Sequence, residues 1–292
     1  MTRLRIRHET FYAYERPVEF GLHRLLVRPR DSHAVRILDA TLGFTPGGET
    51  RWVYDALGNC VCLFQPHGAA TELRIVNELL IERFPAPLAP PSANDPHTVM
   101  PIVYDRCDRA VLGPFIDPVT DDPDGELLRW IRRHTDRPDE PALDFLLRFN
   151  AAIHEGFAYT ERWEEGAQSP AFTVAHGAGA CRDLAWLMVE ALRRMGYAAR
   201  FVTGYLYSPE RSGLRGAGAT HAWCEAFLPD LGWTEFDPTN GLAESSDLIP
   251  VAVSRTPEEA TPVSGVILGD PGRSDLSIHV DVRRAETIAE AA

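Results

Sequence analysis

From residue 1 to 84, apolar and polar positions alternate with period two. The run Leu4-Arg5-Ile6-Arg7-His8-Glu9-Thr10-Phe11-Tyr12-Ala13-Tyr14 sets the pattern, and shorter runs recur at 24–28, 36–44, 51–54, 60–64 and 72–84. Such alternation places one residue in two on a buried face, the signature of a half-buried strand. Turn residues separate the runs at Pro46-Gly47-Gly48 and Leu57-Gly58-Asn59. Several short strands with regular turns predict a β-sandwich-like region over 1–84. The pattern then stops. Pro85, Pro87, Pro90, Pro91 and Pro96 fall close together, and a second proline- and aspartate-rich stretch covers 113–124. Residues 85–124 therefore read as an extended linker.

A helical period follows. Glu126–Thr135 carries Leu127, Leu128, Trp130 and Ile131, and Pro141–Gly156 carries Leu143, Phe145, Leu146, Phe149 and Ile153. A third helix opens at Cys181, with Leu184, Met188, Leu192 and Met195 at helical spacing and Ala185 and Val189 beside them. It ends at Gly196 after Arg193 and Arg194. A helix apolar on more than one side is a buried helix. Strands are predicted again at 199–207, 220–228, 232–237, 249–253 and 276–282. Pro229-Asp230-Leu231-Gly232 between two of them is turn chemistry, so 220–228 and 232–237 form a β-hairpin. A register centred on residue 229 sets His221 directly opposite Asp237, and opposed residues share a face. The fold class is α+β: a β-sandwich-like region, the linker, and a core at 125–292 in which a helix packs on an antiparallel sheet.

Composition narrows the function. A chain of 292 residues with 45% hydrophobic content buries a core without staples. The net charge of −13 argues against nucleic acid or an anionic membrane as partner. All 29 basic residues are arginine, so the chain offers no lysine amine as its own acyl acceptor. No window reaches the apolar length of a membrane span, and the N-terminus lacks a secretory pattern. The five cysteines, Cys60, Cys62, Cys107, Cys181 and Cys224, form no spaced framework. They read as reduced thiols of a cytoplasmic protein. Cys60 and Cys62 flank Val61 on one strand face and read as two buried thiols, not half of a zinc site.

The candidate chemistry starts at Cys181. A thiol at a helix N-terminus feels the positive end of the helix dipole, which favours the reactive thiolate. Each member of the group also has a plain structural reading: Cys181 and His221 as packed core residues, Asp183 as a helix-start acid, Asp237 before Pro238 as a turn starter. Joined, they form a nucleophile, a base and an orienting acid. Cys224 alternates to the strand face opposite His221 and reads as packing.

The motifs resemble those of a known family. Gly-Ala-Cys-Arg-Asp-Leu-Ala (179–185), Met195 to Leu206, Thr-His-Ala-Trp-Cys-Glu-Ala-Phe-Leu-Pro (220–229) and Gly-Trp-Thr-Glu-Phe-Asp-Pro-Thr-Asn (232–240) are similar to those of bacterial transglutaminase-like proteins of the papain-type cysteine group. The early segments around His8–Val18 and Leu26–Arg30 resemble the N-terminal region that precedes this core. Ser254-Arg255-Thr256 departs from the Gly-Arg-Asp of relatives. The resemblance implies Cys181 as nucleophile, His221 as general base and acid, and Asp237 as orienting acid. It implies a peptide or amide substrate and no metal or organic cofactor.

The expected mechanism is attack of Cys181 on an amide carbonyl, release of the amine, and resolution of a thioester. Oxyanion donors would be the Cys181 backbone N–H and the Gln168 side chain, the latter equally an ordinary loop residue. Hydrolysis is preferred because water is the default acceptor. An amine acceptor would make the chain a transglutaminase, and loss of reactivity would make it a silent binding module.

Overall fold

A computed structural model describes residues 1–84, 101–135, 137, 140–207, 214–216 and 218–285. Six strands open the chain: β1 (Thr2–Phe20), β2 (His23–Leu25), β3 (Val35–Thr45), β4 (Gly48–Tyr54), β5 (Cys60–Pro66) and β6 (Ala69–Arg83). Three helices follow: α1 (Arg106–Ile116), α2 (Glu126–Arg132) and α3 (Ala142–Gly156). Strand β7 (Ala158–Tyr159), helix α4 (Pro170–His176) and strand β8 (Ala178–Gly179) lead into α5 (Cys181–Arg194). The remaining strands are β9 (Ala199–Leu206), β10 (His221–Leu228), β11 (Gly232–Asp237), β12 (Leu242–Ala243), β13 (Leu248–Ser254), β14 (Val263–Ser264), β15 (Ile267–Leu268) and β16 (Ser274–Arg284). The fold is α+β, as the two hydrophobic periods indicate.

Two N-terminal sheets form the sandwich. One runs β15-β1-β6-β3 with β16 also on β1, and the other runs β14-β2-β5-β4. Their inner faces meet through Val18, Phe20, Leu25, Cys62, Phe64, Leu73 and Ile75. The division proposed from sequence assigns 263–284 to the core, and here the structure differs. Strands β14, β15 and β16 return to the sandwich: Val263 pairs with Leu25, Ile267 with Phe20, and Val280 with His8. The pattern of 274–284 signals a strand but not its partner. β1 offers two open edges, and β6 fills only one of them. Part of the stretch read as linker, 106–116, is helix α1, capped by the Asp105 carboxylate, which accepts from the Asp108 amide. The proline run 85–96 lies outside the described residues.

The five-stranded sheet β12-β11-β10-β9-β13 carries the C-terminal half. Helix α5 packs against β10 and β9, with Leu184, Ala185, Leu187, Met188, Val189, Ala191 and Leu192 buried. Burying each large aliphatic side chain contributes about 1.5–3 kcal/mol. The helix is also pinned by charge. The fully buried Glu190 carboxylate accepts from the Val119 and Thr120 amides, the Thr120 hydroxyl, Arg193 and Arg194. Arg193, equally buried, also donates to the carbonyls of Phe115, Ala199 and Arg255. Residues 254–256, where the resemblance departs, thus help seat α5. Glu190→Ala leaves a buried guanidinium without its acid and should cost about 3–5 kcal/mol. Urea unfolding reads that loss directly as a shift in midpoint.

Sheet and sandwich share a core of Leu4, Ile6, Leu79, Ile81, Tyr205, Ile249, Val251 and Val280. A buried polar network crosses the same boundary. The Tyr205 hydroxyl donates to the Val27 carbonyl at 2.8 Å and meets His8 Nδ1 at 3.1 Å and Asn77 Nδ2 at 3.3 Å. Burial lowers His8 to about 4, so its ring is neutral at pH 7.

Candidate active site

Strand β10 carries His221 and β11 ends on Asp237. Their hairpin is closed by residues 229–231. The Leu231 amide donates to the Leu228 carbonyl at 3.0 Å, and Gly232 takes φ +75°, a left-handed conformation open to glycine. The pairing is Cys224 with Phe236, Glu225 with Glu235 and Leu228 with Gly232. The turn is therefore centred on residue 230, one beyond the expected 229. Each partner moves by two, so every face is preserved. Asp237 becomes the diagonal neighbour of His221 on the same face instead of its opposite. Their side chains still meet: His221 Nε2 and Asp237 Oδ2 lie 2.9 Å apart, both side chains fully buried.

Asp237 fulfils both readings given to it. Its Oδ1 accepts from the amides of Thr239 at 2.9 Å and Asn240 at 3.3 Å, as a turn-starting aspartate does. Its Oδ2 accepts from His221 and from Asn240 Nδ2 at 2.9 Å. Burial works against the Asp237 charge. The imidazole charge and these hydrogen bonds outweigh it and hold the carboxyl below its ordinary value. Burial likewise drives His221 toward the neutral form. The Asp237 charge and hydrogen bond, with a further contribution from Cys181, push the ring up to about 10.

The charge of Cys181 also acts on the His221 ring and favours its protonated form. Nδ1, the nitrogen turned from Asp237, is buried with no hydrogen-bond partner among the described residues. Cys181 is half-buried as the first residue of α5, so its own N–H is among the amides that the helix leaves without an internal acceptor. Asp183, two residues on, is fully buried. It accepts from the Ala180 amide at 2.8 Å, the Gln168 amide at 2.7 Å and Arg162 Nε at 3.0 Å. It fixes the turn that delivers the thiol. The structure thus brings Cys181, His221 and Asp237 together from one helix start and two strands.

Gln168 directly precedes Ser169, the N-cap of α4, a helix the sequence pattern did not reveal. Its side chain pairs with the Thr173 hydroxyl at 3.2 Å. With the amide oriented to satisfy both ends, its nitrogen donates to Thr173 and the Ala178 carbonyl while its oxygen accepts from Arg162. These bonds tie the 162–168 segment to the strand before Cys181. Tyr159 stands on the partner strand, in register with Gly179, and was not singled out from sequence. Burial pushes its hydroxyl up to about 12, with the charges of Cys181, Glu161, Arg182 and Arg215 also acting on it. Asn240 was likewise missed, although it stands in the quoted motif. The other thiols are elsewhere: Cys224 is buried in the core and raised by burial, Cys62 is buried in the sandwich, Cys60 is half-buried and Cys107 is exposed. Two surface clefts of about 160 and 250 Å³ lie on the sandwich beside Arg28 and Trp52, away from the triad.

Comparison with known proteins follows the same division. Residues 4–82 match the bacterial transglutaminase-like N-terminal region, and residues 129–238, which span Cys181, His221 and Asp237, match the transglutaminase-like superfamily. The chain carries a transglutaminase-like N-terminal region and a transglutaminase-like core. An uncharacterized protein of Mycobacterium leprae is 27% identical over 290 residues, covering 97% of this chain and 99% of that one. A protein-glutamine gamma-glutamyltransferase of Pseudomonas aeruginosa is 32% identical over 130 residues, 39% of this chain and 17% of that protein. The crystal structure of a candidate cysteine protease from Cytophaga hutchinsonii superposes with a TM-score of 0.74 at 20% identity, covering 98% of this chain and 91% of that one. It establishes a shared fold across both regions. No helix among the described residues is long and apolar enough to cross a membrane.

Proposed function

We propose that this protein is a cysteine-dependent amide or peptide hydrolase working through a thioester. The observation that carries the reading is the buried His221, bonded through Nε2 to Asp237, with Nδ1 unpartnered among the described residues and the charge of Cys181 acting on the ring. In the first half-reaction the thiolate attacks the amide carbon and a C–S bond forms. The oxyanion takes the Cys181 N–H as one donor. As the C–N bond breaks, the imidazolium gives its proton to the leaving amine. In the second half-reaction His221 takes a proton from water, whose oxygen attacks the thioester. The C–S bond breaks, releasing a carboxylate product and restoring the thiol. The substrate is a peptide or amide, and reduced thiols suit a cytoplasmic setting.

The name of the Pseudomonas relative favours a second reading, in which an amine replaces water. A peptide-amide library assayed for ammonia or amine release separates the two. Hydrolysis gives free acid as the main product even with a primary amine at millimolar concentration. Transamidated product in excess of free acid would replace hydrolase with transferase. No release from any substrate, together with no preferential alkylation of Cys181 over Cys107, would remove both.

A further inference from the structure

Beside the triad, residues 214–216 carry Arg215, a cation with no ion pair among the described residues. The backbone there is held from two sides. The Arg215 amide donates to Asn240 Oδ1 at 2.9 Å, and Asn240 Nδ2 donates to the Arg215 carbonyl at 3.2 Å. The same Asn240 nitrogen donates to Asp237 Oδ2, so one side chain clamps both the loop and the triad acid. Gly216 follows at φ +85°, and a Cβ there would lie 2.8 Å from His221 Nδ1. The backbone at Gly216 thus passes over Nδ1, the nitrogen turned from Asp237, with Arg215 the preceding residue.

The Arg215 side chain is half-buried, and its Nη1 is sealed from solvent without a hydrogen-bond partner. Among the described residues it makes no ion pair, unlike its neighbour Arg162, which meets Asp183 and Glu164. Arg182 is also engaged, donating to the carbonyls of Arg162, Glu164 and Gly166. Arg215 is thus left with Nη1 unpartnered among the described residues, and its charge, like that of Cys181, acts on Tyr159. A guanidinium N–H kept from water without an acceptor is costly, and a planar fork of such donors matches a carboxylate.

We infer that Arg215 is a substrate-binding residue that receives a carboxylate placed near the scissile amide. The carboxylate is either an acidic side chain or a free C-terminus of a peptide. This inference rests on the cysteine-hydrolase reading for the reacting amide, but its test does not need turnover. The Cys181→Ala chain is titrated with three sets of hexapeptides. One set carries a single Glu walked through the sequence, one carries Gln in its place, and one carries Gln with an uncapped C-terminus.

Peptides with a well-placed carboxylate should bind roughly ten- to a hundredfold more tightly than their Gln counterparts, the range of one charge-assisted contact. Whether the Glu or the uncapped set shows the gain tells the two sources apart. Arg215→Gln should erase the gain and Arg215→Lys should keep part of it, with folding followed by circular dichroism. Arg215→Met serves as a second neutral variant should Arg215→Gln not fold. Equal affinity for all three sets, no measurable binding of any, or a preference that survives Arg215→Gln overturns the inference. Failed turnover by the parent chain sinks the hydrolase reading and leaves this binding result standing.

Discussion

Cys181→Ala should lower amide turnover by at least about 10³-fold while leaving the melting temperature within a few degrees of the parent. The variant removes one sulfur from a half-buried position at the start of α5 and leaves the supports of that turn untouched. Asp183 still accepts from the Ala180 and Gln168 amides and from Arg162. The buried apolar faces of α5 are unchanged. What disappears is the nucleophile, and neither His221 nor Asp237 can substitute for it. Residual rate would come from polarisation by the helix-start N–H alone. Turnover by the alanine variant within tenfold of the parent would show that the thiol is not the attacking group. Parallel labelling with iodoacetamide locates the reactive cysteine, because Cys60, Cys62, Cys107 and Cys224 all lie outside the triad.

Asp237→Asn should cost on the order of 10³–10⁴-fold in turnover, with little change in shape. The asparagine oxygen can retain the amides of Thr239 and Asn240 that Oδ1 now holds. Its nitrogen then faces His221 Nε2, which must become an acceptor. The ring proton moves to Nδ1, the nitrogen meant to take the proton of Cys181, and the base is lost. A second clash arises because Asn240 Nδ2, now donating to Oδ2, meets another donor. The pH dependence of stability provides an independent check. His221 is raised in the folded state, so its contribution is complete below pH about 6.5 and is lost as pH climbs through about 10. Asp237 is lowered, so its contribution is present above its ordinary value of 3.8 and is lost as pH falls through its folded value. The stability gap between parent and Asp237→Asn should therefore be widest between about pH 4 and 6.5, persist through neutrality, and close toward pH 10. A gap that does not change with pH in thermal melts would show that the two groups are not paired as an ion pair.

A buried cluster on the same hairpin shows how the sheet handles unfavourable charge. Glu225 and Glu235 stand directly opposite each other on β10 and β11. Burial, with the charges of Glu225 and Glu244, raises Glu235 well above its ordinary value, and Arg83 at 3.6 Å only partly offsets this. Glu225 is paired with Arg200 on β9. Arg83 comes from the end of β6, so this cluster is another link between the sandwich and the five-stranded sheet.

Much of this protein was legible along the chain. Period-two alternation located β1 and β3 to β6, since a strand with one buried face must alternate whatever it pairs with. Helical spacing located α2, α3 and α5 to within a few residues, because apolar residues must recur wherever a helix meets a core. Helix α4 was missed: it is short, and Ser169-Pro170 reads equally as a turn until the Ser169 hydroxyl is seen accepting from the Phe172 amide. Helix α1 was hidden by its flanking prolines and aspartates, and Pro114 lies inside it.

The sequence by itself determined which residue types stand at the thiol, the ring and the acid, and on which kinds of element. Hairpin parity determined that His221 and Asp237 share a face, because a shift of the turn by one residue moves partners by two. Tertiary structure alone decided that β16 returns to β1, that Asn240 ties Asp237 to the Arg215–Gly216 segment, and that Tyr159 feels the charges of both Cys181 and Arg215. Those are contacts between distant segments, set by how layers pack in three dimensions. Local periodicity reports which side of an element is buried and carries no record of what lies against it.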